Sequence, residues 1–534
     1  MQNFKQGTLS CLFTEQKFAQ SKPIPVSDLG KLAVCAAICN MLLLPFWREL
    51  YGPVFVYFFP YRLPIDSFLL DLGFFFAVGV VLLYFYGGRA LGFFPSLAGV
   101  LAAWSVCVTA EPLWYGRGDP WFLLLVAISA AVVFWSLNRF ARLRIAFEFG
   151  CFIILLFTIC KVVMVWRETR SFPVERPGRS YGIFFEESRE KRIITRESGN
   201  KIILIIFDEL DQRLTLESGF SYPEFQRLAS GSLVGTAVTP ANYRTMAAIP
   251  SILCGRPFRP NEFTTNSGRQ WGAESLPAEF GKQGLTSAVL GWYNPYCRVF
   301  GNQVSRCFTA QWHSAGTAAY LSGAPFLTRL AKDAGAMLRA YPLAVPLYRL
   351  ATRRNGIGGL SESVQTHREI YDALQQRLGE FLALDSNFLF LHLPVPHTPG
   401  IRLQAGTPGG DYLDNMAIAD ETLGYIRRLL EHSGRWNDST VLVMGDHHFR
   451  YDLWRDQSPP RVLRATGRED PRVVFLLKLP SNSVGASYVQ PFNAMLTHDL
   501  IVLLMAGKLK SNTAVTHWLD SNRTRFPVSA PRQD

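Results

Sequence analysis

The sequence predicts two architectures in one chain. The first is an N-terminal bundle of about five transmembrane helices. The second is an α/β domain built on a doubly wound, mostly parallel sheet. Three observations carry this. Apolar residues, 49% of the 534, crowd before residue 167. From residue 201 strand-like and helix-like stretches alternate. Several of the later strands end in acids or histidines, at the edge where open α/β sheets place their chemistry. The predicted divisions are an N-terminal arm at 1–29, membrane helices at 30–166, a juxtamembrane linker at 167–200 and an outer domain at 201–534.

The candidate spans are 30–47, 66–86, 90–108, 120–137 and 145–166. Each approaches the ~20 apolar residues that cross a bilayer. Trp47, Tyr51, Tyr84, Tyr86, Trp114, Trp121 and Trp166 stand near their ends, as interfacial aromatics do. A soluble alternative needs five consecutive core helices with almost no charged face. A cleavable signal peptide fits poorly, because the spans repeat and no small-residue cleavage site stands out. Lys5, Lys17, Lys22 and Lys31 load the arm with positive charge, and Arg139, Arg142 and Arg144 load 138–144. The loop 109–119, with Glu111, Arg117 and Asp119, has no basic excess. The basic segments mark the cytoplasmic side of an inner, multi-pass membrane protein. The outer domain is then periplasmic or extracellular. Arg48 and Arg62 in the first loop run against this bias. Of nine cysteines, only Cys254, Cys297 and Cys307 lie beyond the membrane half. Cys297 and Cys307 are close enough to close a small disulfide loop in an oxidising compartment, leaving Cys254 as a buried thiol.

The linker, rich in Arg, Glu, Pro and Ser, reads as a solvated tether. Beyond it, Lys201–Phe207 reads as a strand ending in Asp208 and Glu209, and 222–230 as a helix. Leu233–Val238 is a strand, 245–254 a short helix interrupted by Pro250, and 275–283 a helix. Ser287–Trp292 is a strand, 361–384 a long helix and Asn387–Leu393 a strand. The helix 411–432 is amphipathic, with Leu413, Met416, Ile418, Leu423, Ile426 and Leu430 near one face. Thr440–Met444 is a buried strand, Arg472–Leu479 another, and 490–506 a closing helix. Alternation of this kind calls for a mostly parallel sheet covered on both faces. Residues 313–358 break it by mixing Phe326, Leu327 and Leu330 with Arg329, Lys332 and Arg339. That segment reads as a lipid-touching surface, a lid or packed helices.

Gly445 lets the chain turn, so Asp446 and His447 sit at a strand's C-terminal end. A carboxylate beside an imidazole is a natural ligand pair for zinc or manganese. The first outer strand contributes Asp208, Glu209 and Asp211; a later one contributes His392 and His397; the third contributes Asp446, His447 and His448. Taken singly, Asp208 reads equally as a helix N-cap and His397 as a loop residue among prolines. Gathered at one sheet edge, these groups are costly without a cation among them. Thr245 opens the helix 245–254, whose first N–H groups and dipole favour an anion. A metal beside its hydroxyl would activate it as a nucleophile. As an N-cap it would have the same place.

The outer domain resembles the alkaline phosphatase superfamily, in its sulfatase-like branch. Gly255 lies ten residues after Thr245, with Pro250-Ser251 between them, later than in sulfatases. The stretch from Tyr412 through Asp420, Leu423 and Asn437 to Gly445-Asp446-His447 is similar to the family's final helix and metal strand. Pro396-His397-Thr398-Pro399 is similar to the segment of its substrate-contacting histidine. Five spans followed by such a domain resemble phosphoethanolamine transferases and lipoteichoic acid synthases. The likeness covers roughly residues 200–510. It implies that Asp208, Thr245, Asp446 and His447 hold one divalent metal ion, zinc or manganese, with magnesium also admissible. It implies that Glu209 joins the shell, that Thr245 attacks the donor, and that His397 binds the phosphate or protonates a leaving oxygen. The sequence departs from the family at three places. His448 replaces the usual Gly. A further His, common a dozen or so residues downstream in the transferases, is missing, and only Arg450 and Arg455 are nearby. Leu393 replaces the Asp of two-metal members. A threonine cannot yield the formylglycine of sulfatases, which favours phosphorus over sulfur.

The expected function is transfer of a phospho-substituent, such as phosphoethanolamine or glycerophosphate. The expected partners are a membrane lipid donor, an envelope glycan or lipid acceptor, and the bilayer itself. A membrane-anchored phosphoric ester hydrolase shares the first step. A catalytically inactive envelope-assembly module is the alternative from another class. The formal net charge of +12 suits anionic headgroups, and no nucleic-acid motif is present.

Overall fold

The structure, a computed structural model, describes residues 28–43, 62–86, 131–170 apart from 133, 134 and 138, 183–188, 201–258, 271–312, 325–334 apart from 328 and 332, 358–404, 407–454, 470–480 and 484–528. The chain divides into two compact units, one of Met1–Leu44 and Phe75–Thr158, the other of Pro45–Phe74 and Ile159–Asp534.

Among the described residues the apolar helices α1 (Asp28–Leu42), α2 (Arg62–Tyr86) and α3 (Ala141–Thr169) precede the sheet. Within the first unit Ala37, Met41, Cys151 and Leu155 form a small core with Phe76 and Phe147 against it. Asn40 Nδ2 donates to Thr158 Oγ1 at 3.2 Å, which satisfies a buried amide. Among the described residues one helix, the 23 residues Ile145–Arg167, is long and apolar enough to cross a membrane. Its Phe149, Phe157, Val163 and Met164 are exposed.

Parts of two other expected spans are described: α1 carries the apolar stretch Leu32–Met41 and α2 the stretch Leu69–Phe85. The expected span 90–108 and most of 120–137 lie outside the described residues.

The second unit is organised by a nine-stranded sheet. Its strands are β1 (Ile183–Ser188), β2 (Ile202–Asp208), β3 (Leu233–Gly235), β4 (Ser287–Trp292), β5 (Arg306–Trp312), β6 (Phe388–Pro396), β7 (Thr440–Gly445), β8 (Phe475–Lys478) and β9 (Ala486–Tyr488). The spatial order is β1-β5-β4-β6-β2-β7-β8-β3-β9. The block β5-β4-β6-β2-β7 is parallel throughout. Antiparallel neighbours flank it, β1 on one side and β8 on the other.

The sequence of β2 explains its place at the centre. Ile202 to Phe207 is an unbroken apolar run, as a strand covered on both faces requires. Ile203, Ile205 and Phe207 face one core, shared with α4 (Pro223–Ser230), α7 (Gly358–Ala383) and α8 (Tyr412–His432) through Phe225, Leu374 and Met416. Ile202, Leu204 and Ile206 face the other, shared with α5 (Thr245–Cys254), α6 (Leu276–Lys282) and α9 (Thr497–Met505) through Ile249, Phe280 and Leu500. Each such side chain contributes about 1.5–3 kcal/mol by leaving water. Reciprocal hydrogen bonds between Asp411 and Asp414, at 3.1 and 3.0 Å, start α8.

Three strands depart from the expected pattern. β1 lies inside the stretch expected as a tether. Its acids read as solvated in sequence but meet arginines: Arg298 Nε reaches Glu186 at 2.6 Å and Arg306 Nη2 reaches Glu187 at 2.6 Å. β5 and β9 were not expected either; β5 interleaves Arg306, Thr309 and Gln311 with its apolar residues, and β9 is only three residues long. The Cys297–Cys307 disulfide forms as expected, and Cys254 is a buried thiol. The closing helix begins later than expected, because Phe492–Asn493 is a short strand. Of 313–358, the described part around 325–334 is helical, and Arg329 donates to both carboxylate oxygens of Asp71, at 2.8 and 2.9 Å.

Candidate metal centre

Three adjacent strands, β6, β2 and β7, deliver the site. Register places Ile206 beside both His392 and Met444, so Asp208 and Asp446 end their strands side by side. Strand alternation then decides the face. Phe388 and Phe390 of β6, Leu204 and Ile206 of β2, and Leu442 and Met444 of β7 all face the α5 side. His392, Asp208 and Asp446 continue those three rows. Thr245 is the first residue of α5, on that same side.

Gly445 makes the close approach possible. A Cβ there would lie 2.5 Å from the carbonyl oxygen of Leu210, so the backbone after β2 passes directly against β7. Asp446 Oδ1 accepts from the backbone N–H of Glu209 at 3.1 Å and of His447 at 2.8 Å. Its Oδ2 is buried without a hydrogen-bond partner. His447 Nδ1 lies 3.0 Å from the His448 carbonyl, which assigns the ring proton to Nδ1. Its Nε2 therefore offers a lone pair, 3.1 Å from Thr245 Oγ1, 3.3 Å from Asp208 Oδ1 and 3.4 Å from Asp446 Oδ2. Thr245 Oγ1 is 3.3 Å from Asp208 Oδ2.

His392 repeats the arrangement. Its Nδ1 lies 3.1 Å from the Trp292 carbonyl and 2.7 Å from the Tyr296 hydroxyl. Its Nε2 is buried without a hydrogen-bond partner, 3.9 Å from Asp208 Oδ2. Ligand atoms of Asp208, His392 and Asp446 lie within 4.8 Å of one another.

The donor set fits a divalent ion. Two carboxylates and two imidazole lone pairs converge in a buried space beside the Thr245 hydroxyl. Burial, joined by the neighbouring Asp208 charge, pushes the Asp446 carboxyl up to about 7, and burial pushes Asp208 up to about 6. Burial also lowers both imidazoles, His392 to about 3, so both are neutral ligands. Buried carboxylates beside neutral ring nitrogens are an oxygen and nitrogen donor set of the kind that holds a metal ion.

Glu209 turns away from this set. Its φ is +67°, in the left-handed region. The Tyr412 hydroxyl fixes that conformation by donating to the Glu209 carbonyl at 2.5 Å and accepting from the Asp211 N–H at 3.2 Å. The Glu209 carboxylate accepts from Arg450 Nε at 2.6 Å and from Trp454 Nε1 at 2.9 Å. Burial alone would raise this carboxyl; the Arg450 guanidinium outweighs it and holds the group at about 2.

His397 follows Pro396, the β6 residue that pairs with Asp208. Asn415 of α8 holds its loop, donating to the carbonyls of Pro396, His397 and Pro399 at 3.3, 2.9 and 3.0 Å and accepting from the Ile401 N–H at 2.9 Å. The ring packs between Trp292, at 5.3 Å, and His367, stacked at 6.0 Å. His448 packs edge-on against Tyr243 at 5.3 Å. Asp211 accepts from the Leu214 N–H at 2.9 Å and serves a turn.

The geometry thus brings together Asp208, Thr245, Asp446 and His447, and sets Glu209 to one side. The sequence reading named His392 without giving it a role. Its parity with Phe388 and Phe390 is the signal that puts it on the α5 side, with Nε2 3.9 Å from Asp208 Oδ2.

No family model and no curated protein matches the chain. Among solved structures it is similar to the PsFucS1 sulfatase from Pseudoalteromonas sp., at 14% identity and TM-score 0.40, over 58% of this chain and 68% of that one. It is similar to murine ectonucleotide pyrophosphatase/phosphodiesterase 5 in complex with AMP, at 11% and 0.35, over 60% and 99%. It is also similar to the lipoteichoic acid synthase LtaP from Listeria monocytogenes, at 16% and 0.34, over 57% and 72%.

Proposed function

We propose that this chain is a membrane-anchored, metal-dependent enzyme that transfers a phospho-substituent from a lipid donor to an envelope glycan or lipid. The observation that carries the reading is Thr245. Its hydroxyl stands at a helix N-terminus, 3.1 Å from His447 Nε2 and 3.3 Å from Asp208 Oδ2, inside a buried set of acceptors. Asp208, Asp446, His447 and Thr245 would hold one zinc or manganese ion. When bound, the ion supplies a Lewis acid for phosphoryl oxygens and lowers the pKa of the Thr245 hydroxyl.

Thr245 Oγ1 passes its proton to Asp208 Oδ2, 3.3 Å away, and attacks the donor's phosphorus, and the bond from phosphorus to the diacylglycerol oxygen breaks. His397 gives that departing oxygen a proton. The phospho-substituent is then an ester of Thr245. In the second half an acceptor hydroxyl attacks the same phosphorus, its proton passes to His397, and Thr245 leaves, taking back the proton from Asp208. The α5 N-terminus favours negative charge at the reacting group in both halves. The exposed apolar side chains of Ile145–Arg167 support anchoring beside the donor.

The test uses the full chain in detergent micelles, with phosphatidylethanolamine or phosphatidylglycerol as donor. Bound metal and intact mass are measured together. About one metal per chain and a phospho-adduct on Thr245 are expected, and the adduct's mass names the group. A folded chain that holds no metal and gains no adduct would sink the proposal.

A further inference from the structure

Arg450 is engaged at one end only. Its Nε is given to Glu209 at 2.6 Å, and neither Nη nitrogen has a hydrogen-bond partner among the described residues. The side chain is 26% exposed. Its partner Glu209 gives its own backbone N–H to Asp446 Oδ1 at 3.1 Å, and Arg450 follows His447 by three residues, so it stands beside the candidate metal pocket.

The surroundings fix it there. Asp446 and His447 begin the turn that carries Arg450, and the short helix Tyr451–Trp454 ends it. Trp454 is fully buried, packed edge-on against Tyr412 at 5.6 Å, and its Nε1 takes the second oxygen of Glu209. Glu209 itself is held at positive φ by Tyr412. A non-glycine residue in that conformation costs on the order of 1–3 kcal/mol and persists only where its surroundings enforce it. Here the conformation sends a buried carboxylate to Arg450 instead of to the neighbouring acids.

We propose that Arg450 is the phosphate-binding arm of the site, its two Nη nitrogens taking non-bridging oxygens of the substrate's phosphate group, with Glu209 as the positioning residue that aims them. This rests on the phospho-transfer reading above. With Nε spent on Glu209, four N–H donors remain in one plane, a fork that matches two phosphate oxygens. The charges agree. Glu209 offsets Arg450, the two aspartates offset a divalent ion, and the incoming phosphate meets oriented donors in a pocket free of excess negative charge. Both monoesters and diesters keep two non-bridging oxygens, so the arm serves a lipid phosphodiester and the covalent Thr245 ester alike.

The test uses the full chain in detergent, supplied with zinc, with inorganic phosphate and glycerophosphoethanolamine as probes. Calorimetry gives affinity, elemental analysis gives metal content, and a thermal melt reports folding. Arg450→Met is expected to keep wild-type metal content and to bind both probes roughly 10–100-fold more weakly, the range for losing charge-assisted hydrogen bonds. Arg450→Lys restores part of that loss, since the charge returns without the fork. Glu209→Gln weakens both probes at unchanged metal content, which a purely structural ion pair would not do. Unchanged affinity for both probes in folded Arg450→Met or Arg450→Lys, with metal retained, overturns the arm and leaves the metal reading intact. Weakening for inorganic phosphate alone overturns the assignment to esters. Wild-type protein that takes no metal yet loses phosphate binding in Arg450→Met upholds the arm and removes the metal reading.

Discussion

The two edges of the central strands bury charge in opposite ways. At the N-terminal edge, the Nζ of Lys201, just before β2, donates to the carbonyls of Leu382 and Leu384 at 3.1 and 2.8 Å. Arg435 Nη1 donates to Leu382, Ala383 and Leu384. Lys478 Nζ reaches the carbonyls of Trp436, Ser439 and Leu479 at 2.7, 3.0 and 3.3 Å. Every cation there meets backbone oxygens, several at the C-terminal end of α7, where positive charge is favoured. At the C-terminal edge, acceptors face acceptors, and His392 Nε2 and Asp446 Oδ2 have no hydrogen-bond partner. A native interior satisfies its buried polar groups, so an edge left in deficit is arranged for something that arrives. One edge uses charge to hold the sheet together. The other stores a demand for a cation.

The largest expected effect falls on the second edge. Thr245→Ala should lower transfer by ~10⁴-fold or more, as loss of a nucleophile does, while the melting temperature hardly changes. Transfer assays with the full chain check this, and substantial residual turnover would remove the covalent route. Asp446→Asn should weaken metal binding by at least ~100-fold, measured by competition with a chelator. The same variant, stripped of metal, should be no less stable than wild type, because a buried carboxylate in deficit has become neutral. A clear loss of metal-free stability would erase the contrast between the edges.

On the first edge the effects should appear in stability alone. Lys201→Met and Arg435→Met should each cost about 1–3 kcal/mol in denaturant melts, at wild-type metal content. They share the Leu382 and Leu384 carbonyls, so the double variant should cost other than the sum.

The smallest effect is a pH slope. Burial, helped at Lys201 by the nearby Arg435 charge, lowers Lys201 and Lys478 to about 8. Between about 8 and the ordinary lysine value the unfolded chain binds more protons than the folded one, so stability should rise with pH across that window. The wild type should gain on the order of 1 kcal/mol over the Lys201→Met/Lys478→Met pair between pH 8 and 10. A wild type that loses ground over that interval would show that these lysines are charged in the fold throughout.

The legible parts of the fold were those where one local pattern suffices. The apolar runs of β2, β4 and β7 and the span of α5 are written in consecutive residues. So is the acid-imidazole pair at 446 and 447. The site was less legible where a side chain's direction depends on a distant partner. Glu209 sits beside Asp208 in sequence, yet Tyr412, Arg450 and Trp454 turn it outward. The orientation of His392 depends on Trp292 and Tyr296, a hundred residues away by chain. β1 escaped notice because its glutamates read as solvent-facing until Arg298, Arg306 and Arg377 are beside them.

The contact between Gly445 and the Leu210 carbonyl has a consequence for how such a centre can change over generations. The loops that carry Asp208 and Asp446 touch main chain to main chain. The gap between the two carboxylates is therefore gauged by peptide geometry, with a far tighter tolerance than rotating side chains would give. Selection can exchange the ligands one at a time, and with them the preference for one ion over another. The spacing itself is inherited as a single piece.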